Sequence, residues 1–180
     1  MKSQLDASNL FLQLEYGIVD EKSGLRQQMS LSEFKRLFDK TMVNATRYDY
    51  NLLEISVLAR HFDIVAYLLT FRGWNINHQN QNGETVLQFV SDKAVFSFDS
   101  AFKLLSYSGV DTSVVDMWGN NPLWTVLYNM YYQRIDLDLE QQYIDWLKAL
   151  VDFGFKFNNR SVDVIHEKMV SESWLKQLFD

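Results

Sequence analysis

Residue types that commonly carry catalysis or bind metal ions are few in this chain. Its three histidines, His61, His78 and His166, do not form the spaced pairs that zinc sites use. The absence of cysteine excludes thiol catalysis, thiolate zinc sites and disulfide bonds. The sequence also lacks a Gly-x-Ser-x-Gly nucleophile motif and a glycine-rich phosphate loop. We therefore expect a protein that is not an enzyme and that takes no cofactor, metal ion or small-molecule substrate.

Clustered tyrosines and carboxylates make residues 128–140 a candidate binding segment. Its candidate residues are Tyr128, Tyr131, Tyr132, Asp136, Asp138 and Glu140. Tyrosines are enriched at the centres of protein interfaces, and carboxylates steer basic partners toward a surface. The acids lack the central glycine and the distal glutamate of a calcium-binding loop, which disfavours a cation site. Two interpretations stay open: a protein-binding surface, or a packed helix followed by a solvated acidic loop.

The composition indicates one folded domain. The chain has 180 residues, of which 47% are hydrophobic and 15% aromatic, enough apolar material for a continuous core. Its formal net charge of −6 disfavours nonspecific binding to nucleic acid, which requires a basic face. The same charge is compatible with a basic protein partner and with solubility alone. The single proline predicts a mainly helical chain.

The sequence carries no signal for a membrane or for secretion. No apolar run approaches the roughly 20 residues of a membrane-spanning helix. Residues 1–6 do not begin a secretion signal with an apolar core and a small-residue cleavage site. Together with the absence of cysteine, these features predict a cytoplasmic protein with no membrane partner.

Turn and helix-start signals recur at a fixed spacing. Residues 116–126 contain an acidic residue, a glycine and the helix start Asn-Pro-Leu-Trp, and residues 80–88 contain a similar series. The glycines of the two series, Gly83 and Gly119, lie 36 residues apart. Glycine at these positions would supply a positive φ in the turn, and Pro122 suits the first turn of a helix. We expect helices to begin near Leu52, Thr85 and Pro122.

A second set of glycines recurs at the same spacing after leucine-rich stretches. Gly73 and Gly109 are also 36 residues apart, and Gly154 follows Gly109 by 45 residues. Glycines that follow helices commonly occupy the C′ position, which we predict for these three. The preceding leucines are predicted to lie on the buried faces of helices: Leu68, Leu69, Leu104, Leu105, Leu147 and Leu150.

These two markers resemble the ankyrin repeat, in which an acidic turn and a Thr-Pro-Leu-His-like helix start open each unit and a Gly-Ala-Asp-x-Asn-like turn closes it. The resemblance covers roughly residues 47–170. It implies an all-α solenoid of about three to four irregular helix pairs. We place repeats at 47–77, 78–111 and 112–156 and a C-terminal cap at 157–180. His61 matches a turn histidine whose usual role in the family is hydrogen bonding.

Residues 1–46 match no repeat. Ser30 and Glu33 form a capping-box pattern ahead of an apolar stripe, and Gly17 ends an earlier helical stripe. The ends of a repeat stack need atypical units, because each inner face must be covered. We therefore predict an N-terminal helical cap, with residues 18–28 as its loop, within a single domain that spans 1–180.

Ankyrin stacks are binding scaffolds, so the resemblance implies a protein partner. More narrowly, the chain is similar to small bacterial ankyrin proteins that serve as immunity partners of secreted antibacterial toxins. The similarity lies in the Asp-x-x-Gly-Asn-x-Pro-Leu-Trp opening, the irregular units and the acidic charge. It implies a cytoplasmic immunity protein that binds and inhibits a cognate toxin, and a basic nuclease toxin would suit the charge. The alternative is an ankyrin scaffold or adaptor, or a host-targeted effector.

The third unit is about nine residues longer than the 36-residue spacing, and residues 128–140 lie within it. Trp118 falls at a predicted turn tip, where a large apolar side chain is a candidate anchor for a partner. Its alternative role is packing against Trp74 or Trp124. We predict a protein-binding site formed by Trp118 and the six candidates of residues 128–140.

Overall fold

The computed structural model describes residues 2–19, 26–133, 137–158 and 161. Within these residues the chain is mostly helical, which confirms the all-α prediction. The helices are α1 (Lys2–Tyr16), α2 (Leu31–Leu37), α3 (Leu52–Leu58), α4 (Phe62–Leu68), α5 (Val86–Ser91), α6 (Phe98–Leu105), α7 (Pro122–Tyr132) and α8 (Leu137–Phe153). Two antiparallel hairpins pair β1 (Ile18–Val19) with β2 (Arg26–Gln27) and β3 (Thr46–Arg47) with β4 (Tyr50–Asn51). A 3₁₀ turn spans Lys40–Met42.

The helices of the described residues stack as four pairs in two layers. Helices α1, α3, α5 and α7 contact one another in succession and form a first layer, while α2, α4, α6 and α8 form a second layer in the same way. Each helix of the first layer also packs against the next helix along the chain, from α1 with α2 to α7 with α8. Most of these helices are too short to be stable alone, so each depends on burying its apolar stripe against its neighbours.

Three of the first-layer helices begin within one residue of the predicted starts, at Leu52, Val86 and Pro122. Each is preceded by a polar N-cap residue, and Pro122 occupies a position where its missing N–H costs no helical bond. The capping box predicted for α2 is also present, because the Glu33 N–H donates to Ser30 Oγ at 3.3 Å and the Ser30 N–H donates to Glu33 Oε2 at 3.0 Å.

The turns that precede α5 and α7 are built by the same hydrogen bonds. Asn80 Oδ1 accepts the backbone N–H groups two and four residues later, both at 2.9 Å. Asp116 Oδ1 accepts the N–H groups two and four residues later, at 2.9 and 2.8 Å. Gly83 and Gly119, three residues after these side chains, have φ values of +77° and +79°. The positive φ predicted for both glycines is therefore confirmed.

Two asparagines join successive helix pairs through matching bonds. Asn44 Nδ2 donates to the Gly73 carbonyl at 2.7 Å, and its Oδ1 accepts the N–H two residues beyond that glycine at 2.8 Å. Asn77 makes the same two bonds with Gly109 and the residue two beyond it, at 2.7 and 2.9 Å. The bonds thus recur between consecutive pairs.

The C′ assignment holds for one of the three closing glycines and is wrong for two. Gly154 directly follows α8, whereas α4 and α6 end several residues before Gly73 and Gly109. In α4 an extra turn intervenes, because the N–H groups of Thr70 and Phe71 bond to carbonyls three residues back, both at 3.0 Å. All three glycines nevertheless have positive φ, between +92° and +115°.

Five of the six leucines predicted to be buried are buried. These five are Leu68, Leu104, Leu105, Leu147 and Leu150. Leu69, at the C-cap position of α4, is only partly buried. The extra length of the third unit lies in its helices, since α7 has 11 residues and α8 has 17, against 6 in α5 and 8 in α6. Most of the predicted C-terminal cap, 157–180, lies outside the described residues.

Candidate protein-binding surface

Trp118 lies at the exposed tip of the turn before α7. Its side chain is 54% exposed, and its backbone N–H is held by Asp116 Oδ1 at 2.9 Å. Trp74, an alternative packing partner, lies instead in the core and donates its indole N–H to the Leu68 carbonyl at 2.8 Å. The ring of Trp124, the other alternative, contacts Tyr128. A hydrogen-bonded turn therefore presents the Trp118 indole to solvent.

The three predicted tyrosines divide between surface and core. Tyr128 and Tyr132 are 42% and 51% exposed, whereas Tyr131 is partly buried and packs against the core. The Trp124 and Tyr128 ring centroids are 6.1 Å apart, and those of Tyr128 and Tyr132 are 5.5 Å apart. Because residues four apart share one face of a helix, Trp124, Tyr128 and Tyr132 form an aromatic stripe along α7. Tyr131 does not lie on this stripe, since it points toward the interior.

The predicted acidic residues are placed only in part. Asp136 lies outside the described residues. Asp138 and Glu140 occupy the first turn of α8, where Asp138 is exposed and Glu140 is partly buried. Carboxylates in this position also stabilise a helix by complementing its dipole, so their location serves the fold independently of any partner.

A groove between α3, α5 and α7 was missed by sequence reasoning. It has a volume of about 300 Å³, and we name it the acidic groove after its three carboxylates. Its lining residues are Leu58, Glu84, Gln88, Phe89, Asp92, Ala94, Val95, Asp116 and Thr125. Glu84 and Asp116 belong to separate turns and Asp92 follows the end of α5, so no local sequence pattern predicts that the three carboxylates lie together. The only sequence signal for this groove was that Glu84 and Asp116 each lie beside a turn, and that the two turns are equivalent.

Each carboxylate of the acidic groove is held by neutral donors. Asp92 Oδ1 accepts the Ala94 N–H at 2.8 Å, and Glu84 Oε2 accepts the Asn80 side-chain amide at 2.9 Å. Asp116 accepts backbone N–H groups of its own turn. None of the described residues that line the groove is a lysine, an arginine or a histidine. Burial raises the pKa of Tyr143, and the negative charge of Asp92 adds to this rise.

A second groove adjoins the acidic groove along the first layer. It lies between α1, the β3–β4 hairpin and α3, has a volume of about 290 Å³, and shares Leu58 with the acidic groove. Among the described residues that line it, Arg47 is the only cation. Arg47 Nη1 lies 3.8 Å from Glu15 Oε2, and the guanidinium lies 4.8 Å from the Tyr48 ring centroid. The two grooves therefore meet at Leu58.

The histidines that are described serve the fold. His61 is buried and its Nε2 lies 3.2 Å from the Leu14 carbonyl, which confirms the predicted hydrogen-bonding role. His78 Nδ1 lies 3.0 Å from Glu54 Oε1. Burial raises the pKa of Glu54, although the backbone N–H of Asn51 and the imidazole of His78 act in the opposite direction.

Within the described ranges, no group of three or more histidine, cysteine or acidic side chains is arranged to hold a metal ion. Among the helices of the same ranges, none combines the length and the apolar character needed to cross a membrane. Comparison with protein-family models found no match to this chain. Comparison with curated proteins likewise found no significantly similar relative.

Proposed function

We propose that this chain is an ankyrin-repeat protein that works by binding another protein rather than by catalysing a reaction. The ankyrin assignment is supported by the stacking of helix pairs in two layers. It is also supported by the matching turns at Asn80 and Asp116 and by the matching links from Asn44 and Asn77. These bonds recur at spacings of 36 and 33 residues, as expected of a sequence built from one repeated unit.

The observation that carries the binding function is the aromatic stripe on α7. Two large rings, Tyr128 and Tyr132, stay 42% and 51% exposed on a helix whose opposite face is fully buried in the stack. Tyrosine offers a large contact area with only two rotatable side-chain bonds, so an ordered row of tyrosines binds a partner at low entropic cost. The stripe borders the acidic groove, because Thr125 of α7 lines that groove.

Within this class, we propose a bacterial immunity protein that acts in the cytoplasm by binding and inhibiting a cognate toxin. The support is the resemblance of its opening motif and unit lengths to such proteins, together with the net charge of −6, which suits a basic toxin domain. Inhibition requires only that the bound chain cover the active site of the toxin or hold the toxin in an inactive conformation.

The binding proposal is tested by partner capture with the full chain. The tagged parent and the variants Tyr128→Ala and Tyr132→Ala are compared in cytosol of the native host, with Phe153→Ala as control. Phe153 is 43% exposed but belongs to the second layer, so its removal matches the loss of an exposed ring elsewhere. We expect one protein to be captured by the parent and the control and to be reduced with both tyrosine variants. Equal capture by all four chains would place the interface elsewhere.

The immunity proposal has a separate test. The captured partner is expressed in a neutral bacterial host with and without this chain. We expect growth to stop when the partner is expressed alone and to be restored by co-expression of the parent chain. A partner that leaves growth unaffected would contradict the immunity function while leaving protein binding intact.

A further inference from the structure

The acidic groove combines an apolar floor with acidic walls. Leu58, which is 38% exposed, and Phe89 provide hydrocarbon surface, while Asp92, Glu84 and Asp116 provide negative charge at the edges. An apolar floor favours an aliphatic or planar side chain, and the carboxylates favour a cation. A side chain with both properties is that of arginine, whose stem is apolar and whose head is a planar, permanently charged guanidinium.

No ion pair between described residues neutralises the negative charge in this groove. The ion pairs of the described residues join Arg47 to Glu15, His78 to Glu54 and Lys103 to Asp99, and none of them involves a carboxylate of the acidic groove. These carboxylates accept hydrogen bonds only from neutral groups of the described residues. The groove therefore keeps a negative potential that attracts an incoming cation.

The groove continues into the aromatic stripe. Thr125 lines the groove and lies next to Trp124 and three residues before Tyr128 on α7. Residues one turn apart on a helix are neighbours, so a segment that leaves the groove along α7 next meets the ring of Tyr128. Aromatic faces attract guanidinium groups and apolar side chains alike, so the two surfaces suit one continuous partner segment.

We propose that the acidic groove takes an arginine side chain of the protein partner, with the residues that flank this arginine lying on the aromatic stripe. This inference rests on the proposed protein-binding function and names the chemistry of the partner. The arginine stem lies on Leu58 and Phe89, and its guanidinium faces Asp92. The occupant is an arginine-bearing segment of another protein, because a charge-complementary segment fits both the groove and the stripe.

The first test uses a defined peptide and the full chain labelled with ¹⁵N. The probe is acetyl-Gly-Leu-Arg-Leu-Gly-amide, and the matched control is the same peptide with citrulline in place of arginine, which keeps the shape and removes the charge. We expect saturable shifts of amide signals around Phe89, Asp92 and Thr125 with the arginine peptide. The citrulline peptide and the variant Asp92→Asn should each weaken binding at least about fivefold.

Two further variants separate charge from shape. Asp152→Asn removes an exposed carboxylate of α8, in the second layer, and should leave peptide binding unchanged. Thr125→Arg places a cation in the groove from within the chain and should abolish the shifts. The Asp92→Asn side chain can still accept the Ala94 N–H, so its fold is expected to hold, as circular dichroism would verify. Shifts that are absent, that are equal for both peptides, or that are unaffected by Asp92→Asn would overturn the proposal.

The captured partner distinguishes this inference from the function on which it rests. If the tyrosine variants weaken partner binding while Asp92→Asn and Thr125→Arg leave it unchanged, the protein-binding function stands and the arginine site is overturned. If all four variants weaken partner binding, and changing a single partner arginine has the same effect, the inference is supported. If the parent captures no protein, the proposed function fails whatever the peptide result.

Discussion

The carboxyl group of Glu54 and the imidazole of His78 meet between α3 and the loop that leads toward α5, with Nδ1 at 3.0 and 3.1 Å from the two carboxyl oxygens. Glu54 is fully buried, and its Oε2 also accepts the Asn51 N–H at 2.7 Å. Gln88 occupies the matching position in the next helix pair, where its Oε1 accepts the Thr85 N–H at 2.9 Å. The chain thus uses an acid and its neutral isostere for the same capping task.

This pair leads to a prediction about pH and stability. Burial raises the pKa of Glu54, so its contribution to stability is complete below its unfolded pKa near 4.5 and is lost as pH rises through the higher folded pKa. Glu54→Gln removes this loss. We expect the stability of the variant, relative to the parent, to increase between pH 4.5 and pH 7.5, as measured by urea unfolding. A variant that becomes relatively less stable over this range would show that the ionised pair with His78 outweighs the cost of burial.

The second prediction concerns the core shared by neighbouring helix pairs. Leu123 and Leu105 are almost fully buried, in the first and second layers respectively. Each change to alanine leaves a cavity and should lower the free energy of unfolding by roughly 2–5 kcal/mol. Because stacked pairs share one core, the midpoint of a single cooperative unfolding transition should shift to milder denaturing conditions. Leu12→Ala, at a position 40% exposed on α1, is the control and should cost far less in the same denaturation measurements.

Two glycines with the same φ offer a test of how closely the turns pack. A Cβ on Gly83 would lie 3.0 Å from backbone atoms of Asp116 and Met117, whereas a Cβ on Gly119 would meet nothing within 4 Å. Both alanine substitutions carry the cost of a positive φ, roughly 1–2 kcal/mol. Gly83→Ala should therefore lower the free energy of unfolding more than Gly119→Ala does, because only the first presses on the neighbouring turn. Equal losses in thermal or urea unfolding would contradict this close approach.

The helix starts and turns could be predicted because their signals are local. Pro122, the capping pair Ser30 and Glu33, and the turn glycine Gly83 each act within a few residues, so the sequence alone displays them. The ends of α4 and α6 could not be placed as well. Whether an extra turn follows a helix depends on whether the last N–H groups bond to carbonyls three residues back instead of four. A leucine-rich stretch followed by glycine is the same sequence pattern with or without this turn.

The candidate site was predictable only where one helix determines it. The four-residue spacing of Tyr128 and Tyr132 puts them on a common face, but which face meets the core depends on α5 and α8, so the burial of Tyr131 could not be known. The acidic groove could not be predicted from the sequence. Asp92 and Asp116 lie 24 residues apart, and only the stacking of helix pairs brings them to one cavity.

The last prediction separates anchoring from steering at the partner interface. The exposed rings of Trp118 and Tyr132 are candidates for buried anchors, so either change to alanine should cost roughly 2 kcal/mol or more of binding, mainly through faster dissociation. Changing Asp136, Asp138 and Glu140 together to their amides should mainly slow association. Raising the salt concentration should shrink this effect, because peripheral charges guide encounter more than they hold a complex.

Association and dissociation rates of the captured partner, measured at low and high salt, test both parts, with Phe153→Ala as the control. If every variant has the same rates as the parent, the interface lies away from α7. If association becomes faster after the acids are neutralised, the partner surface that faces them is not basic.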